Sequence, residues 1–283
     1  MAQLGVQMMM FKDRVAKEGM YPLLEEFVAA DLKAVEVSQI AMSEENTAAL
    51  ERAVSELGLT VGALSVALEA ATASPNTDAL DRDYDKIVAD CKRLGTHYLR
   101  IGMMPAEAMS TKEGTEAFAA ACEPVAARLA EEGITLCYHN HHVDLAQFDG
   151  ERIFDIVRRV APSMKFEVDL HWVQRGGMAP LDMLEAYSGV CKLIHVKDYR
   201  VTPLPPEAIE MRKNGDMAGY MRLFSEIVQF AEVGQGNMNW PALMPAAEKA
   251  GADFFFIEQD NTYGRDAMDC VRESRAYLAS IGW

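Results

Sequence analysis

The residues best suited to chemistry lie in one short stretch, residues 136–145, which reads Leu-Cys-Tyr-His-Asn-His-His-Val-Asp-Leu. Three of the six histidines of the chain, His139, His141 and His142, fall within it. The apolar run before them predicts a buried strand, on which His139 and His141 point to the same face. Two imidazoles at the end of a buried strand are unfavourable without a partner, which indicates a bound metal or substrate. His142, out of phase with both, is predicted to be a loop residue.

The length, composition and charge of the chain exclude several classes of protein. Its 283 residues are a usual length for one α/β barrel, and half of them are hydrophobic. The net charge of −16 repels phosphate backbones and argues against nucleic acid as a partner. No apolar run approaches the ~20 residues of a membrane span, so no membrane contact is expected. Five scattered cysteines without a Cys-x-x-Cys pair, and no leader-like N-terminus, predict a cytoplasmic protein with reduced thiols.

Strand-like and helix-like segments alternate eight times along the chain, which predicts parallel strands joined by crossover helices. Eight such units in this length favour a (β/α)8 TIM barrel. The chain lacks the Gly-x-Gly-x-x-Gly and phosphate-loop motifs that would favour an open doubly wound sheet. The segment 200–235 breaks the rhythm with several prolines and a predicted helix from Asp216 to Ala231. We therefore predict a single TIM-barrel domain over residues 1–283, with a helical insertion at about 200–235. The predicted strands cover residues 6–11, 34–38, 60–66, 97–101, 134–141, 166–170, 192–196 and 254–258.

The active sites of such barrels lie at the C-terminal ends of the strands. Asp169, His195 and Glu258 each end an apolar strand, and together they form a set that suits a divalent ion such as Mn²⁺, Co²⁺, Mg²⁺ or Zn²⁺. A histidine from the fifth strand would complete a site that keeps positions open for substrate, as catalytic metal sites do. The predicted cofactor is one divalent ion, with Mn²⁺ as first choice. The predicted ligands are His139, Asp169, His195 and Glu258, with the choice between His139 and His141 left open.

Each of these residues also has an ordinary structural explanation. Glu258 would then be a surface carboxylate, Asp169 a helix cap and His195 a core histidine with satisfied hydrogen bonds. Glu36 and Glu167 point into the same predicted barrel, where they would pair with cations. Lys197 shares the face of His195, where it would either stabilise a developing oxyanion or pair with a carboxylate.

Five motifs in order resemble the xylose isomerase-like TIM barrel family, the group of sugar phosphate isomerases and epimerases. The resemblance covers the whole chain and implies a barrel with a divalent metal at its mouth, held by Glu, Asp, His and Glu from successive strands. The last three of these ligands match Asp169, His195 and Glu258. The motifs are Tyr-His-Asn-His at 138–141, Glu-Val-Asp at 167–169, Lys-Leu-Ile-His-Val-Lys-Asp at 192–198, Val-Gly-x-Gly at 233–236 and Phe-Ile-Glu-Gln-Asp at 256–260.

Two departures from the family pattern bear on the reaction. His139 stands where many members carry the first glutamate, one of the paired bases of the epimerases. Trp172 stands where isomerases often carry the histidine of Asp-x-x-His, and His171 is the neighbouring histidine here. The Tyr-His-x-His strand is instead similar to inosose dehydratase and to barrel subunits that cleave 3-keto-glycosides, including C-glycoside deglycosidases. That resemblance implies removal of a proton next to a ketone and loss of a β-substituent.

We therefore predict a metal-dependent lyase that acts on a keto-sugar, a keto-glycoside or a keto-cyclitol. His141, whose pKa range suits proton transfer near neutral pH, is the predicted base. Lys197 would hold the enolate, and Glu258 is predicted to be both ligand and catalytic residue. The residues predicted to contact the substrate are Gln7, His171, Trp172 and Arg175.

Three other functions compete with this one. An isomerase or epimerase would share the first step and reprotonate the substrate in place of elimination. A metal-binding barrel subunit would be active only with a partner chain, bound through the insertion at 200–235. The predicted assemblies are accordingly a homo-oligomer or a complex with a small second subunit. An apurinic endonuclease is disfavoured by the acidic charge.

Overall fold

The computed structural model describes residues 2–283, which form a closed barrel of eight parallel strands. Neighbouring strands pair in chain order, and the first strand closes the barrel against the last, with Val6 opposite Ile257. The predicted TIM-barrel fold is confirmed. The strands are β1 Gln3–Gln7, β2 Ala34–Val37, β3 Thr60–Val66, β4 Tyr98–Ile101, β5 Thr135–His139, β6 Lys165–Asp169, β7 Cys191–Val196 and β8 Phe254–Ile257.

Helices surround the barrel, and local signals set several of their ends. Ser43 accepts a hydrogen bond from the backbone N of Asn46 at 3.3 Å, and Gly58 ends the same helix in the left-handed conformation. No helix in the described part of the chain has both the length and the apolar character needed to cross a membrane. The α-helices are Lys12–Glu18, Tyr21–Ala29, Glu44–Leu57, Tyr84–Leu94, Ala106–Met109, Lys112–Glu131, Ile153–Val160, Leu170–Arg175, Pro180–Ala186, Pro206–Lys213, Met217–Glu226, Trp240–Ala250 and Ala267–Ser280.

Two apolar layers support the site. The larger one packs the outward faces of the strands against the helices. A smaller cluster lies inside the barrel, where alternate residues of the strands point inward. Since side chains two positions later point to the same side, the next inward layer is held by residues such as His139 on β5 and His195 on β7. The inner cluster consists of Ala34, Ala63, Cys137, Leu193 and Phe256.

The predicted end of the first strand is wrong. The first strand ends at Gln7, because the Gln7 side chain accepts a hydrogen bond from Met9 N and Met8–Phe11 turns into a 3₁₀-helix. A similar local cap lies at Thr111, whose Oγ1 accepts from Gly114 N at 3.0 Å where the helix Lys112–Glu131 begins. In both places a side chain caps the backbone locally, and strand or helix periodicity alone does not locate it.

The segment between β7 and the helix Trp240–Ala250 also differs from expectation. The predicted helix from Asp216 to Ala231 ends at Glu226, because Val228–Ala231 pairs antiparallel with Asp198–Val201. The backbone groups of Val228–Ala231 thus bond to the strand Asp198–Val201 rather than within a helix, in a two-stranded antiparallel hairpin. The hairpin carries a pair of helices, Pro206–Lys213 and Met217–Glu226.

Asp198 joins this hairpin to the barrel. Its Oδ1 accepts from the backbone N of Tyr199 at 2.8 Å and of Met238 at 3.1 Å. Its Oδ2 accepts from Gly234 N at 3.0 Å and from the indole N of buried Trp240 at 2.9 Å. The Val-Gly-x-Gly motif thus wraps a buried carboxylate, and no side chain fits at position 236, where a Cβ would lie 2.1 Å from Asp198 Oδ1.

Asp198→Asn is expected to lower the free energy of unfolding by about 3 kcal/mol. The amide group replaces one accepting oxygen with a donor, so that two buried N–H groups lose their acceptor. Urea unfolding followed by circular dichroism measures the change, and Asp182→Asn on an exposed helix position is the control. Equal stability of the two variants would contradict the proposed role of Asp198.

Candidate active site

A layer of buried ionisable side chains lies above the inner apolar cluster. Strand alternation explains their position, since each lies within or just beyond a barrel strand and points inward. Because the C-terminal ends of the strands meet at one mouth, residues far apart in sequence become neighbours. The layer consists of Glu36, Arg100, His139, Glu167, Asp169, His195, Lys197 and Glu258, all buried.

His195 stands at the centre of this layer, and its two ring nitrogens face different carboxylates. Nε2 lies 3.1 Å from an oxygen of Glu36 and 3.3 Å from an oxygen of Glu167. Nδ1 lies 2.8 Å from an oxygen of Glu258 and 3.6 Å from an oxygen of Asp169. Burial disfavours the charged imidazole, but these carboxylates outweigh it and raise the pKa of His195 well above its usual value.

Arg100 occupies the deep side of the layer, and sequence reasoning missed it. Its Nε lies 2.7 Å from Glu36 Oε1 and 3.2 Å from Glu167 Oε2, and its Nη2 donates to Ser38 Oγ at 3.2 Å. Glu36 and Glu167 therefore do pair with a barrel cation, as the structural explanation predicts. Burial, with the nearby charge of Glu36, raises the pKa of Glu167 to about 8. The signal in the sequence was an arginine at the inward position of the apolar strand β4.

Lys197 occupies the outer side, among three carboxylates. Its Nζ lies 3.0 Å from Asp169 Oδ2, 2.7 Å from Glu258 Oε2 and 2.9 Å from Asp260 Oδ2. Gln7 holds the other oxygen of Glu258, since its Nε2 donates to Oε1 at 3.0 Å. The ammonium of Lys197 therefore pairs with carboxylates and also lies beside the predicted metal ligands. Pairing with a carboxylate and stabilising a developing oxyanion are thus compatible roles for Lys197.

Asp169 is held in place by a second residue that sequence reasoning missed, Asn140. The Asn140 side chain accepts from the backbone N of Asp169 at 2.9 Å and donates to its carbonyl at 3.3 Å. Asp169 Oδ1 accepts from Trp172 N at 2.9 Å and so caps the helix that follows β6. Burial opposes ionisation, but Lys197 and His195 lower the pKa of Asp169 to about 2. The carboxylate is thus a helix cap through one oxygen and faces Lys197 and His195 with the other.

Two groups of side chains have the proximity that a metal ion requires. Asp169, His195 and Glu258 each offer a ligand atom, and the three atoms lie within 4.8 Å of one another. His139 and Glu167 form a second such group with the same His195. The structure thus brings three of the four predicted ligands together and places His139 beside Glu167, with Nδ1 3.4 Å from Oε2. The place of His139 among the ligands stays a prediction.

The outer group fits a divalent cation. Asp169 Oδ2, Glu258 Oε2 and His195 Nδ1 are buried, and none of them has a hydrogen-bond partner of suitable geometry in the described part of the chain. Two carboxylate oxygens and an imidazole nitrogen are ligands that divalent ions such as Mn²⁺ accept, and a bound ion would supply the partner that these buried atoms lack.

A cavity of about 820 Å³ opens beside this layer. Its polar end includes His139, His141, Lys197 and Glu258, so the two histidines of the fifth-strand stretch do face the same space. Its other end is apolar and lies between the segments that follow β3 and β4. The volume falls within the range of small-molecule sites, and the two ends differ in chemistry. The apolar lining includes Val66, Leu68, Ile101, Met103, Met104 and Phe118.

Asp144 fixes the turn that carries His141, and it is a third residue that sequence reasoning missed. Its Oδ2 accepts from His141 N at 2.7 Å, and its Oδ1 accepts from the hydroxyl of Tyr138 at 2.8 Å. Burial lowers the pKa of His141 to about 4, below the near-neutral value on which its prediction as the base rested, so the ring is neutral at pH 7 but a weaker base than an ordinary histidine. His142 begins the 3₁₀-helix His142–Leu145 and is exposed, as predicted for a loop residue.

Within the described residues, the four predicted substrate contacts do not line this cavity, although the Trp172 ring lies 5.3 Å from Lys197 Nζ and 5.9 Å from the His141 ring. Gln7 holds Glu258, and His171 is buried with its ring stacked on Phe230 at a centroid distance of 5.1 Å. The Trp172 ring lies near His171, and the Arg175 guanidinium lies 5.9 Å from the Trp172 ring. Their contact with a substrate stays a prediction.

The comparisons with known proteins agree with this architecture. The model of the xylose isomerase-like TIM barrel family matches residues 24–281, and the chain belongs to this family. No curated protein matches the chain at a significant level.

Solved structures with the same fold cover nearly the whole chain. A sugar phosphate isomerase/epimerase from Parabacteroides distasonis has a TM-score of 0.74 at 18% identity and covers 99% of this chain and 98% of its own. An L-ribulose 3-epimerase has a TM-score of 0.71 at 16% identity, covering 99% and 94%. A probable 3-DHS dehydratase from Bacillus anthracis has a TM-score of 0.69 at 12% identity, covering 99% of both. At these identities the similarity establishes the fold alone.

Proposed function

We propose that this protein is a divalent-metal-dependent lyase that removes the proton α to the carbonyl of a keto-sugar, keto-glycoside or keto-cyclitol, with β-elimination of a substituent. One observation carries the proposal. Buried Asp169, His195 and Glu258 offer ligand atoms that lack a hydrogen bond of suitable geometry and lie within 4.8 Å of one another, and Glu258 lines the same cavity as His141. A divalent ion held by these three side chains would act as a Lewis acid that polarises the substrate carbonyl and acidifies the neighbouring C–H.

The residues of the chain supply the proton transfer and the charge. His141, neutral at pH 7 because burial lowers its pKa to about 4, takes the α-proton on a ring nitrogen. Its Nδ1 is buried with no hydrogen-bond partner in the described residues, so no protein group competes for that nitrogen. Lys197 keeps a positive charge beside the forming oxyanion, since burial lowers its pKa less than Asp169, Glu258 and Asp260 raise it.

An isomerase or epimerase is the second candidate, and the position of Glu258 favours it. Such an enzyme needs a second group that returns the proton, and the Glu258 carboxylate lines the same cavity as His141. The first step is then unchanged, and the substituent next to the carbanion stays attached.

Incubation of the metal-loaded protein with keto-cyclitols and 3-keto-glycosides in D₂O separates the two candidates. Loss of the β-substituent, followed by NMR and mass spectrometry, supports the lyase. Deuterium at the α-carbon without loss of a substituent supports the isomerase or epimerase. Protein that binds the ion and shows neither deuterium uptake nor elimination with these substrates would contradict both.

Glu36→Gln is expected to weaken divalent-ion binding by about 10- to 100-fold. The Glu36 carboxylate, 3.1 Å from His195 Nε2, favours the tautomer with the proton on Nε2 and leaves Nδ1 free towards Asp169 and Glu258. Glutamine keeps the size and loses the charge. Calorimetric titration with Mn²⁺ measures the effect, and Glu45→Gln on an exposed helix is the control. An unchanged affinity would show that Glu36 does not orient His195.

A further inference from the structure

The helix Met217–Glu226 contains no buried residue, although it carries several large apolar side chains. Met217, Met221 and Phe224 are 51%, 54% and 48% exposed. Their spacing of four and three residues places them on one face of the helix, and we call them the insertion stripe. An apolar stripe at helical spacing that faces solvent indicates a binding surface, and isolated helices of this length are marginal in water.

The neighbouring helix Pro206–Lys213 does not cover the stripe. It packs against a different part of the surface, where the Arg212 guanidinium lies 5.6 Å from the ring of half-buried Tyr220. It adds its own exposed apolar residue, Ile209, at 42%. The contact between the two helices therefore covers one face of Met217–Glu226 and leaves the insertion stripe exposed to solvent.

The substrate cavity does not account for the stripe either. Between Lys197 and Glu258, no described residue lines that cavity. The stripe is thus neither part of the cavity wall nor buried in the barrel, and an occupant from outside the chain is required to cover it.

The charge of this region favours a second copy of the chain as that occupant. Residues 206–226 hold four acidic and three basic residues, so the segment offers charges of both signs to a partner. Along Pro206–Lys213, Glu207 and Glu210 precede Arg212 and Lys213. A twofold axis perpendicular to two such helices makes them antiparallel and brings the acidic half of each against the basic half of the other.

The area of exposed apolar surface on this segment also fits a second copy of the chain. With Val201 at 55% exposure, five large apolar side chains in this segment are about half exposed. They present on the order of 500 Å² of apolar surface, at the upper end of what a monomer shows. An interface of standard size buries about 800 Å² per partner, and the exposed charged residues of Pro206–Lys213 would add polar area to this apolar surface.

We propose that two copies of this chain associate about a twofold axis through the insertion stripe and the helix Pro206–Lys213. Light scattering after size exclusion of the full-length protein tests this. The wild type is expected at twice the mass of one chain, and Met221→Glu combined with Phe224→Glu at the mass of one chain. Leu181→Glu, which changes a residue of 46% exposure on another helix, is the matched control and keeps the double mass. Circular dichroism confirms that each variant is folded.

A charge exchange tests the twofold arrangement itself. Glu207→Lys with Glu210→Lys, and Arg212→Glu with Lys213→Glu, are each expected to give single chains, because like charges then face each other. An equimolar mixture of the two variants is expected to recover the double mass. A wild type with the mass of one chain would overturn the proposal and leave the stripe to a different protein. A stripe variant that keeps the double mass, or a mixture that fails to associate, would overturn it as well.

Discussion

Glu258→Gln is expected to lower kcat by about 10³-fold, the scale of losing one essential electrostatic group, and to weaken Mn²⁺ binding more than 100-fold. The Glu258 oxygen that faces the site lies 2.8 Å from His195 Nδ1 and 2.7 Å from Lys197 Nζ, buried and without a hydrogen bond. An amide at this position removes the charge that a divalent ion requires and leaves the ammonium of Lys197 with one carboxylate fewer. Steady-state kinetics and Mn²⁺ titration of the same preparation measure both effects.

Glu107→Gln is the matched control for this variant. Glu107 also lines the cavity, but it lies with the apolar lining and is exposed. Near-normal kcat and Mn²⁺ affinity are expected for it. If Glu258→Gln keeps the Mn²⁺ affinity of the wild type, the assignment of Glu258 as a ligand is wrong.

His141→Ala is expected to lower kcat by about 10²- to 10⁴-fold, the usual contribution of a general base, with Mn²⁺ affinity nearly unchanged. Loss of a base lowers kcat alone, whereas loss of a metal ligand lowers both kcat and Mn²⁺ affinity. His142→Ala, at an exposed histidine next in the chain, is the control and should retain activity. If His141→Ala retains near-normal kcat with every ketose tested, His141 is not the base.

The pH profile gives an independent check on the same residue. A base with its pKa lowered to about 4 by burial is unprotonated above that pH, so kcat should be independent of this group between pH 6 and 8. As the pH falls through about 4, His141 becomes protonated and kcat decreases. An ordinary exposed histidine would place the same decrease near pH 6.5.

Much of this architecture was predictable from the sequence because strand period and barrel topology determine it. Apolar strands ending in Asp169, His195 and Glu258 must bring those side chains to one mouth once the barrel closes. The same reasoning placed His139 and His141 on one side, and both line the cavity. Alternation along a strand determines whether a side chain points into or out of the barrel. Closure of the sheet then brings the inward side chains of all eight strands together.

Two of the three missed residues, Arg100 and Asn140, depend on contacts between segments far apart in the chain. Arg100 pairs with Glu36 across 64 positions, and Asn140 holds the backbone of Asp169 across 29. Periodicity shows that such residues point inward and does not show which partner they meet. The grouping of His139 with Glu167 has the same origin, because the rotamer of a buried side chain decides it and strand phase does not.

Calorimetric titration of metal-stripped protein with Mn²⁺ tests the central claim most directly, namely that Asp169, His195 and Glu258 bind a divalent ion. One ion per chain is expected for the wild type. Asp169→Asn, which keeps an oxygen for the cap to Trp172 N and loses the charge, is expected to bind at least 100-fold more weakly. Absence of binding in the wild type, or equal affinity in Asp169→Asn, would contradict the account.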